Sequence, residues 1–315
     1  TTASDSLAPT DETTDDTQDQ ATEQEQATAA TADSEGDATN PTAEAPKVAQ
    51  KANVAAASKI TGTWGTSSYT FDENTGVLTI GAGELSRYTE SPWNSKKVSA
   101  EAIRKIVLSG KVVAPENSWA LFGGSQLQNV TEIEGLSQLD TSKVTTMGNM
   151  FRALSSITSL DVSGFDTSKV TNMQHMFSGM SSVTSLDVSG FDTSNVTDMA
   201  NMFRGMSSVT SLDVSGFDTS NITTMENMFY NISSVTSLDV SGFDTSNVTT
   251  MKDMFADTSL NKLTLGDHFK AVGDTGLSAP KALNDGDQLT GNWIREDGQS
   301  KGYSPADFMT NYGTG

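Results

Sequence analysis

The residues best suited to chemistry in this chain are serines and aspartates that recur within one short phrase. The stretch TSLDVSGFDTSNVT stands at residues 184–197 and again, letter for letter, at 236–249, with near-copies at 158–171 and 210–223. In each copy a serine, an aspartate and a second serine alternate with leucine and valine, so the three polar side chains should share one face of a strand. The residues that we predict to form an exposed binding face are Ser159, Asp161, Ser163, Ser185, Asp187, Ser189, Ser211, Asp213, Ser215, Ser237, Asp239 and Ser241.

Three interpretations of this face remain open. In the first, the aspartates only keep an exposed strand soluble and block edge-to-edge aggregation, so they need no ligand. In the second, the carboxylates and hydroxyls bind the sugar hydroxyls or the basic patches of a glycoprotein. In the third, the oxygens bind calcium (Ca²⁺), which takes only oxygen ligands, although the chain contains no clear EF-hand or RTX nonapeptide. No other metal and no cofactor is expected.

The aspartates should form columns if successive copies pair in register. Strands about 4.8 Å apart would stack the four aspartates of the face, and Glu134 would extend the column. Like charges this close repel each other, which predicts raised pKa values. A second column falls on the turn-forming letters of each copy and is interpreted as a turn-capping set. Its members are Asp140, Asp166, Asp192, Asp218 and Asp244.

The residue types on which most catalytic sites depend are scarce. The chain has no cysteine and two histidines, His175 and His268, which stand in unrelated contexts. Every acid column repeats, and a repeated acid lacks the distinctive environment that separates the pKa values of a catalytic pair. No base is paired with a nucleophile by pattern. The sequence therefore predicts that the protein is not an enzyme and has no catalytic residues.

The phrase belongs to a repeat of 26 residues. Met-Phe pairs recur at this interval from Met150-Phe151 to Met254-Phe255, and another methionine stands three residues before each pair. One unit comprises a short strand, a turn and the segment V-T-x-M-x-x-M-F, whose spacing predicts a short helix. Such a unit cannot bury its own apolar face, so the units should stack with methionine and phenylalanine in the core. Two copies carry the spacing of a capping box at the helix start, namely Thr171 with Gln174 and Thr223 with Glu226.

These patterns predict a fold class and four segments. The fold is expected to be an α/β repeat solenoid, right-handed, with a parallel sheet on one face. Residues 1–59 are expected to be a disordered acidic tail or stalk, because residues 1–46 hold 12 acids and no Lys or Arg, and the first aromatic residue is Trp64. Residues 60–128 should form a β-rich N-terminal cap and residues 129–265 the solenoid. Residues 266–315 should form a small mixed C-terminal cap.

The two flanks carry their own signals. The stretch SYTFDENTGVLTI predicts a β-hairpin in the N-terminal cap. Trp64, Trp93 and Trp119 should supply the core of that cap. In the C-terminal cap, Ser304 before Pro305, with an acid at position 307, predicts the start of a short helix.

The charge of the chain excludes some classes of partner. The formal net charge is −21 at pH 7, and no basic stripe interleaved with aromatic residues is present. An acidic surface repels phosphate backbones and anionic membranes, so nucleic acid is not expected as a partner. No apolar run is long enough to span a membrane, so membrane insertion is not expected either.

The repeat unit resembles a known family. The stretch LDVSGFDTSNVTDMANMF strongly resembles the 26-residue repeats of BspA-type leucine-rich-repeat surface proteins of Gram-positive bacteria, over residues 130–265. The flanking stretches ITGTWGTSSYTFDENTGVLTI and YSPADFMTNYG also look like that family. One departure is that phenylalanine stands where the leucine-rich-repeat consensus has asparagine, so the asparagine ladder of such solenoids should be absent.

The resemblance implies a location and a function. It implies a leucine-rich-repeat-like solenoid that is secreted, extracellular and attached to the bacterial cell wall. It also implies adhesion to host mucus or extracellular-matrix glycoproteins, such as mucin, through non-covalent contact along the repeat face. The alternative is a structural spacer that holds other modules away from the wall.

Overall fold

Successive segments of the chain stack on one another as the coils of a solenoid. A computed structural model describes residues 58–281, 291–294 and 302–311, and within these ranges it is a parallel-sheet β-solenoid of about seven turns with almost no helix. The strands are β1 (Lys59–Trp64), β2 (Ser67–Asp72), β3 (Val77–Ile80), β4 (Gly83–Glu84), β5 (Lys105–Leu108), β6 (Val112–Val113), β7 (Glu132–Glu134), β8 (Leu139–Asp140), β9 (Ser237–Val240) and β10 (Lys262–Leu265). The helical elements are α1 (Pro305–Asn311) and the 3-10 turns Tyr88–Glu90, Ala100–Ala102, Ser125–Leu127 and Leu136–Gln138.

The largest sheet begins as a hairpin and continues as stacked coils. β1 pairs antiparallel with β2, and the antiparallel register of β2 with β3 confirms the predicted hairpin. β3, β5 and β7 are parallel, and they bring Leu78, Ile106 and Ile133 into one buried row. Parallel stacking therefore begins at β3, inside the segment 60–128 and before the 26-residue repeat itself.

Two further sets of parallel pairs hold the coils together. β4, β6 and β8 form a small sheet, and β9 pairs with β10 so that Leu238 lies opposite Leu263. Isolated parallel bridges connect one residue of each coil to its counterpart in the next. They run through Asn117, Thr146, Asn172, Asp198, Thr224 and Thr250. Equivalent residues of neighbouring coils are therefore adjacent, and a repeated residue type becomes a column.

The core is built from columns of phenylalanine and methionine, as predicted. The rings of Phe151, Phe177 and Phe203 are nearly parallel, with centroids 6.0 Å apart at each step. At the N-terminal end the column continues to Phe122, whose ring meets the edge of Trp64 at 6.1 Å. All ten repeat methionines are fully buried, at Met147, Met150, Met173, Met176, Met199, Met202, Met225, Met228, Met251 and Met254. Unbranched methionine fills the gaps between the larger rings.

The predicted short helix of each repeat is wrong. The segment around each Met-Phe pair is a series of tight turns, in which the N–H of Met150 bonds the carbonyl of Met147 at 3.1 Å and Asn149 has φ of 56°. A positive φ at the third residue of a turn favours Asn, Asp or Gly. The left-handed residues at this position are Asn149, His175, Asn201, Asn227 and Asp253. The turn chemistry therefore overrides the helical spacing of the methionines.

The predicted capping boxes are absent because there is no helix for them to cap. The hydroxyl of Thr171 donates instead to the carbonyl of Thr145 in the preceding coil, at 3.2 Å, and that of Thr223 donates to Thr197 at 3.0 Å. The N–H of Gln174 bonds the side chain of Asn172. These threonines join coils rather than start helices.

A column of buried threonines satisfies the backbone inside the solenoid. The hydroxyl of Thr167 donates to the carbonyl of Asp192 at 3.0 Å and accepts the N–H of the same residue at 2.8 Å. The same exchange joins Thr141 to Asp166 and Thr219 to Asp244. Backbone groups that are shielded from water need partners, and the threonine of the preceding coil supplies them to these partly buried groups.

The two ends of the described chain differ from expectation in part. Trp64 and Trp93 are buried, but Trp119 is 37% exposed and lies over Gly148, so the prediction that it contributes to the core is wrong. The predicted helix start is confirmed, since the hydroxyl of Ser304 accepts the N–H of Asp307 at 3.2 Å at the start of α1. The expected disordered tail lies outside the described residues as far as residue 57, and β1 begins at Lys59. Parts of the C-terminal segment 266–315 also lie outside them.

Candidate functional site

The predicted serine and aspartate side chains all lie at the solvent-exposed surface. In the copy at 184–197, Leu186 and Val188 are buried, whereas Ser185, Asp187 and Ser189 are exposed, and the other three copies repeat this pattern. Of the four copies, the one at 237–240 is assigned as a regular strand, β9. We call the twelve serines and aspartates predicted above the Ser-Asp-Ser face.

Each aspartate of this face organises the turn that follows it. Oδ1 of Asp161 accepts the backbone N–H of Ser163 at 3.1 Å and its hydroxyl at 2.6 Å. Asp187 holds Ser189 in the same way, at 3.0 and 2.6 Å. The N–H of Ser215 and that of Ser241 bond the aspartates two residues before them, at 3.0 and 2.9 Å. These bonds use Oδ1, so Oδ2 is left outside the turn.

The predicted rise of the pKa values is wrong for Asp161, Asp187 and Asp213. The hydroxyl of Ser163 and then its backbone N–H hold the pKa of Asp161 below its ordinary value of 3.8, while burial and the charge of Asp187 raise it by less. The pKa values of Asp187 and Asp213 are lowered by the equivalent serines. Hydrogen bonds to the ionised form outweigh the repulsion, because water and salt screen charges at the surface.

The column of aspartates is bounded at both ends. Glu134 precedes the first copy, but its carboxylate lies 2.6 Å from Nζ of Lys105, which also lies 3.0 Å from Glu132. Glu134 is therefore part of an ion-pair cluster and does not add a free carboxylate to the column. At the other end, Thr264 of β10 lies opposite Asp239.

The second column of aspartates caps turns, as predicted. Each carboxylate accepts the backbone N–H of the serine two residues later, at 2.9 to 3.1 Å. The hydroxyl of Ser168 adds a bond of 2.6 Å to Asp166 and lowers its pKa, as Ser194 does for Asp192. The two columns therefore use one chemistry, and an Asp–x–Ser pair marks both.

Sequence reasoning missed an exposed ladder of asparagines beside the second column. Each side-chain amide donates to a serine carbonyl of the preceding coil, at 2.7 or 2.8 Å. The pairs are Asn195 with Ser168, Asn221 with Ser194 and Asn247 with Ser220. Lys169 takes this place in an earlier coil, with Nζ 2.9 Å from the carbonyl of Ser142. The recurrence of Asn after Thr-Ser was the available signal.

The remaining chemistry-bearing residues do not gather around the face. His175 occupies a left-handed turn position and His268 is exposed on a later segment. Within the described ranges, no three His, Asp or Glu side chains come together so that they could hold a metal ion. In the same part of the chain, no helix combines the length and the apolar character needed to cross a membrane.

One aspartate in the bridge column differs from all those above. Asp198 is partly buried, and desolvation raises its pKa although its Oδ1 accepts the N–H of Ala200 at 2.9 Å. Asn172 holds the equivalent position one coil earlier and makes the equivalent bond at 3.0 Å. The charge of Asp198 therefore costs stability that asparagine would not cost.

We expect Asp198→Asn to stabilise the protein at pH 7, by on the order of 0.5 kcal/mol for a group that solvent partly screens. Because the pKa of Asp198 is raised in the folded state, ionisation of Asp198 destabilises the folded protein as pH rises through that pKa. The gain in stability from asparagine should therefore vanish at a pH below 3.8, where the carboxyl group is protonated in both the folded and the unfolded state. Urea unfolding at both pH values checks this. Asp161→Asn is the control, since its pKa is lowered and the sign should reverse. A variant that is no more stable at pH 7 than the wild type would contradict the expectation.

Comparison with known proteins finds that the solenoid is similar to one family. Residues 121–211 and 199–270 match, as two overlapping segments, a family described as "Mycoplasma protein of unknown function, DUF285". No curated protein and no solved structure matches the chain. The solenoid is therefore similar to the DUF285 repeat family, whose description assigns no function.

Proposed function

We propose that this protein is an extracellular bacterial adhesin that binds host mucus or extracellular-matrix glycoproteins through its Ser-Asp-Ser face. The proposal includes attachment to the bacterial cell wall and membership of the BspA-type leucine-rich-repeat surface proteins, with a right-handed solenoid. The observation that carries it is the exposure of the same three polar side chains in four successive coils. The match to the DUF285 family covers residues 121–211 and 199–270, so it supports the part of the proposal that concerns the repeats.

The face offers oxygen atoms in an arrangement that suits sugar hydroxyls. Oδ1 of Asp187 is occupied by Ser189, which leaves Oδ2 able to accept a hydroxyl from a ligand. A hydrogen bond to an ionised carboxylate is about twice as strong as one between neutral groups. The first serine of each copy, such as Ser185, adds an exposed hydroxyl. One copy alone would bind weakly.

Repetition makes up for weak single contacts. Four equivalent triads lie on one stack of coils, so a glycoprotein with several sugars can engage more than one of them. Each further contact is then intramolecular, and the overall affinity rises without any new type of bond. The turn bonds at Asp161 and Asp187 also fix the serines that follow them, which lowers the ordering entropy lost on binding.

A structural spacer is the second candidate, and one observation favours it. Asp161, Asp187 and Asp213 each hold a neighbouring serine, so their recurrence has a structural cause without any ligand. In that case the face only keeps a long solenoid soluble, and the coils set a distance between other parts of the cell surface.

Binding to immobilised mucin distinguishes the two candidates. We expect Asp187→Asn combined with Asp213→Asn to weaken binding by about tenfold or more, because two charge-assisted acceptors are lost while the asparagine oxygen can keep the turn. Binding of the wild type should stay constant between pH 7 and pH 5, because the pKa values of these aspartates are lowered from 3.8 and the carboxylates remain ionised.

The matched control is Asp192→Asn combined with Asp218→Asn. It removes the same charge from the same coils at the turn-capping column, where each aspartate bonds a serine. Equal losses in both double variants would show a general charge effect and would remove the face from the mechanism. No mucin binding by the wild type would favour the spacer, whereas full binding by the first double variant would remove the Ser-Asp-Ser face from the mechanism.

A further inference from the structure

One edge of the largest sheet lies open at strand β1. Within the described residues β1 is the end strand of its sheet and pairs with β2 alone. The carbonyl of Ser58 accepts the N–H of Glu73, so the backbone of Ser58 faces β2. Backbone groups of successive residues point to opposite edges of a strand. The N–H and C=O groups of Lys59, Thr61 and Thr63 therefore point away from β2, towards an edge that carries no partner strand.

β1 lacks the features that usually keep an edge strand from pairing. Natural edge strands are interrupted by proline or a bulge, or carry several charges. β1 has the sequence KITGTW, with no proline and with one charge, at its first residue. Its six residues pair with β2 in unbroken register, so no bulge bends it. Thr61 and Thr63 are exposed and β-branched, which favours extended backbone. Such an edge can accept a further strand.

The surface beside this edge is locally neutral, although the chain as a whole has a formal net charge of −21. On the outer face of the two strands, Lys59 lies opposite Asp72, so one positive and one negative charge offset each other. The other side chains on this face carry hydroxyl groups, and they are Thr61, Thr63, Ser68 and Thr70. Two acidic chains can approach each other here without local repulsion. The edge therefore suits a second copy of this chain better than a strongly basic or acidic partner.

Two copies of β1 match each other when they pair antiparallel about Thr61. In that register Thr61 exchanges two backbone hydrogen bonds with Thr61 of the second copy. Lys59 exchanges its bonds with Thr63 of the second copy, and Thr63 with Lys59. The two lysines then stand at opposite ends of the paired segment, so no like charges face each other across it. All the outward-pointing backbone groups gain partners.

The core-facing side of the edge adds an apolar contact to the same pairing. Ile60 is partly buried and packs against the core. Gly62 has no side chain, and the tip of the Tyr69 ring lies against it. In the antiparallel register about Thr61, Ile60 of each copy lies opposite Gly62 of the other. The second copy therefore covers the surface of Ile60 that the single chain leaves open, which stabilises the pair.

We propose that the protein forms a two-fold homodimer in which the β1 strands of two copies pair antiparallel about Thr61. The pairing joins the five-stranded sheets of the two copies into one. The same surface is used on both sides, as in most symmetric dimers. One strand from each copy makes a small interface, so the dimer belongs among weak and transient associations. It forms at the N-terminal cap and does not depend on the function proposed for the Ser-Asp-Ser face.

Sedimentation velocity of the full chain tests the proposal. We expect the average sedimentation coefficient of the wild type to rise from that of a monomer towards that of a dimer between micromolar and millimolar concentration. Thr61→Pro removes the central N–H, which makes no bond to β2, so the fold should tolerate it. Because two intermolecular hydrogen bonds are lost, the dimer should weaken by at least about tenfold, while the thermal unfolding temperature stays unchanged.

A pair of charge variants tests the two-fold register, and it does not rely on proline. Thr61→Lys and Thr61→Glu each place like charges opposite each other, so each variant alone should dimerise about tenfold more weakly than the wild type. An equimolar mixture of the two places opposite charges there and should dimerise again. Thr70→Lys is the matched control, because Thr70 lies on the same face of β2 and opposite Thr61 of its own chain. It should leave dimerisation unchanged.

Any of four results would overturn the proposal. A wild type that stays monomeric up to millimolar concentration would leave the edge to a different occupant. A folded Thr61→Pro variant that dimerises like the wild type would place the interface on another surface. A mixture of Thr61→Lys and Thr61→Glu that associates no better than either variant alone would exclude pairing about Thr61. An equal loss in Thr70→Lys and Thr61→Lys would show a general effect of charge.

Discussion

Phe203→Ala should destabilise the protein by about 3–5 kcal/mol, the largest effect that we expect from a single substitution. Phe203 is fully buried in the middle of the phenylalanine column, with ring centroids 6.0 Å from Phe177, 5.9 Å from Phe229 and 6.3 Å from Phe217. Alanine removes both the transfer free energy of the ring and the contacts that three neighbouring rings make with it. The coils on either side are held by backbone ladders and cannot close the cavity.

Chemical denaturation followed by circular dichroism measures this loss. Phe255→Ala is the comparison, because Phe255 stacks on Phe229 at 6.0 Å on one side and lies near the end of the column. Coils of a solenoid interact mainly with their nearest neighbours, so the terminal position should cost less. A loss below about 1 kcal/mol for Phe203→Ala would mean that the core repacks, contrary to the column described above.

Thr167→Val should cost about 1–3 kcal/mol, because it leaves the partly buried carbonyl and N–H of Asp192 without their partner. Thr167 is 2% exposed, and its hydroxyl both donates to and accepts from the backbone of Asp192. Valine has nearly the same shape, so the packing stays while a carbonyl and an N–H lose their partner. The free energy of unfolding therefore reports the hydrogen bonds of the threonine ladder rather than a cavity.

The chain offers a matched control four residues away. Thr171 is exposed, and its hydroxyl donates to the carbonyl of Thr145 at 3.2 Å. Water can replace that bond, so Thr171→Val should change stability by no more than about 0.5 kcal/mol. Thr167→Ser keeps the buried hydroxyl and should recover part of the loss. Equal costs for the two valine variants would show that the buried ladder has no special role.

Patterns with a period in the sequence were predicted well. The 26-residue spacing of Met and Phe places these side chains in the core, and the alternation of Leu and Val with Ser and Asp separates buried from exposed positions. Asp166 and its counterparts were assigned to turn capping because Asp before Ser has a local backbone partner two residues on. These features depend on residues that are close in the chain or on an exact repeat, and both are visible in the amino-acid sequence.

Features that depend on competition between interactions were predicted poorly. The spacing of Met and Phe alone led to the prediction of a helix in this segment. One position of every repeat, occupied by Asn, His or Asp, instead adopts the left-handed conformation of a turn. Repulsion between the aspartates alone led to the prediction of raised pKa values. The hydrogen bonds from Ser163 and Ser189 instead lower the pKa values of Asp161 and Asp187. Trp119 was assigned to the core because of its residue type, but it lies exposed over Gly148.

The sequence by itself determined that the coils repeat, stack in register and present the same serines and aspartates to solvent, because one buried face per unit allows no other arrangement. The tertiary structure decided what each polar side chain bonds. The threonine ladder at Thr167 and the ion pair of Glu134 with Lys105 each join residues that lie 25 or more positions apart. These interactions depend on which residues of neighbouring coils lie close together in space, and adjacent residues in the sequence do not reveal this.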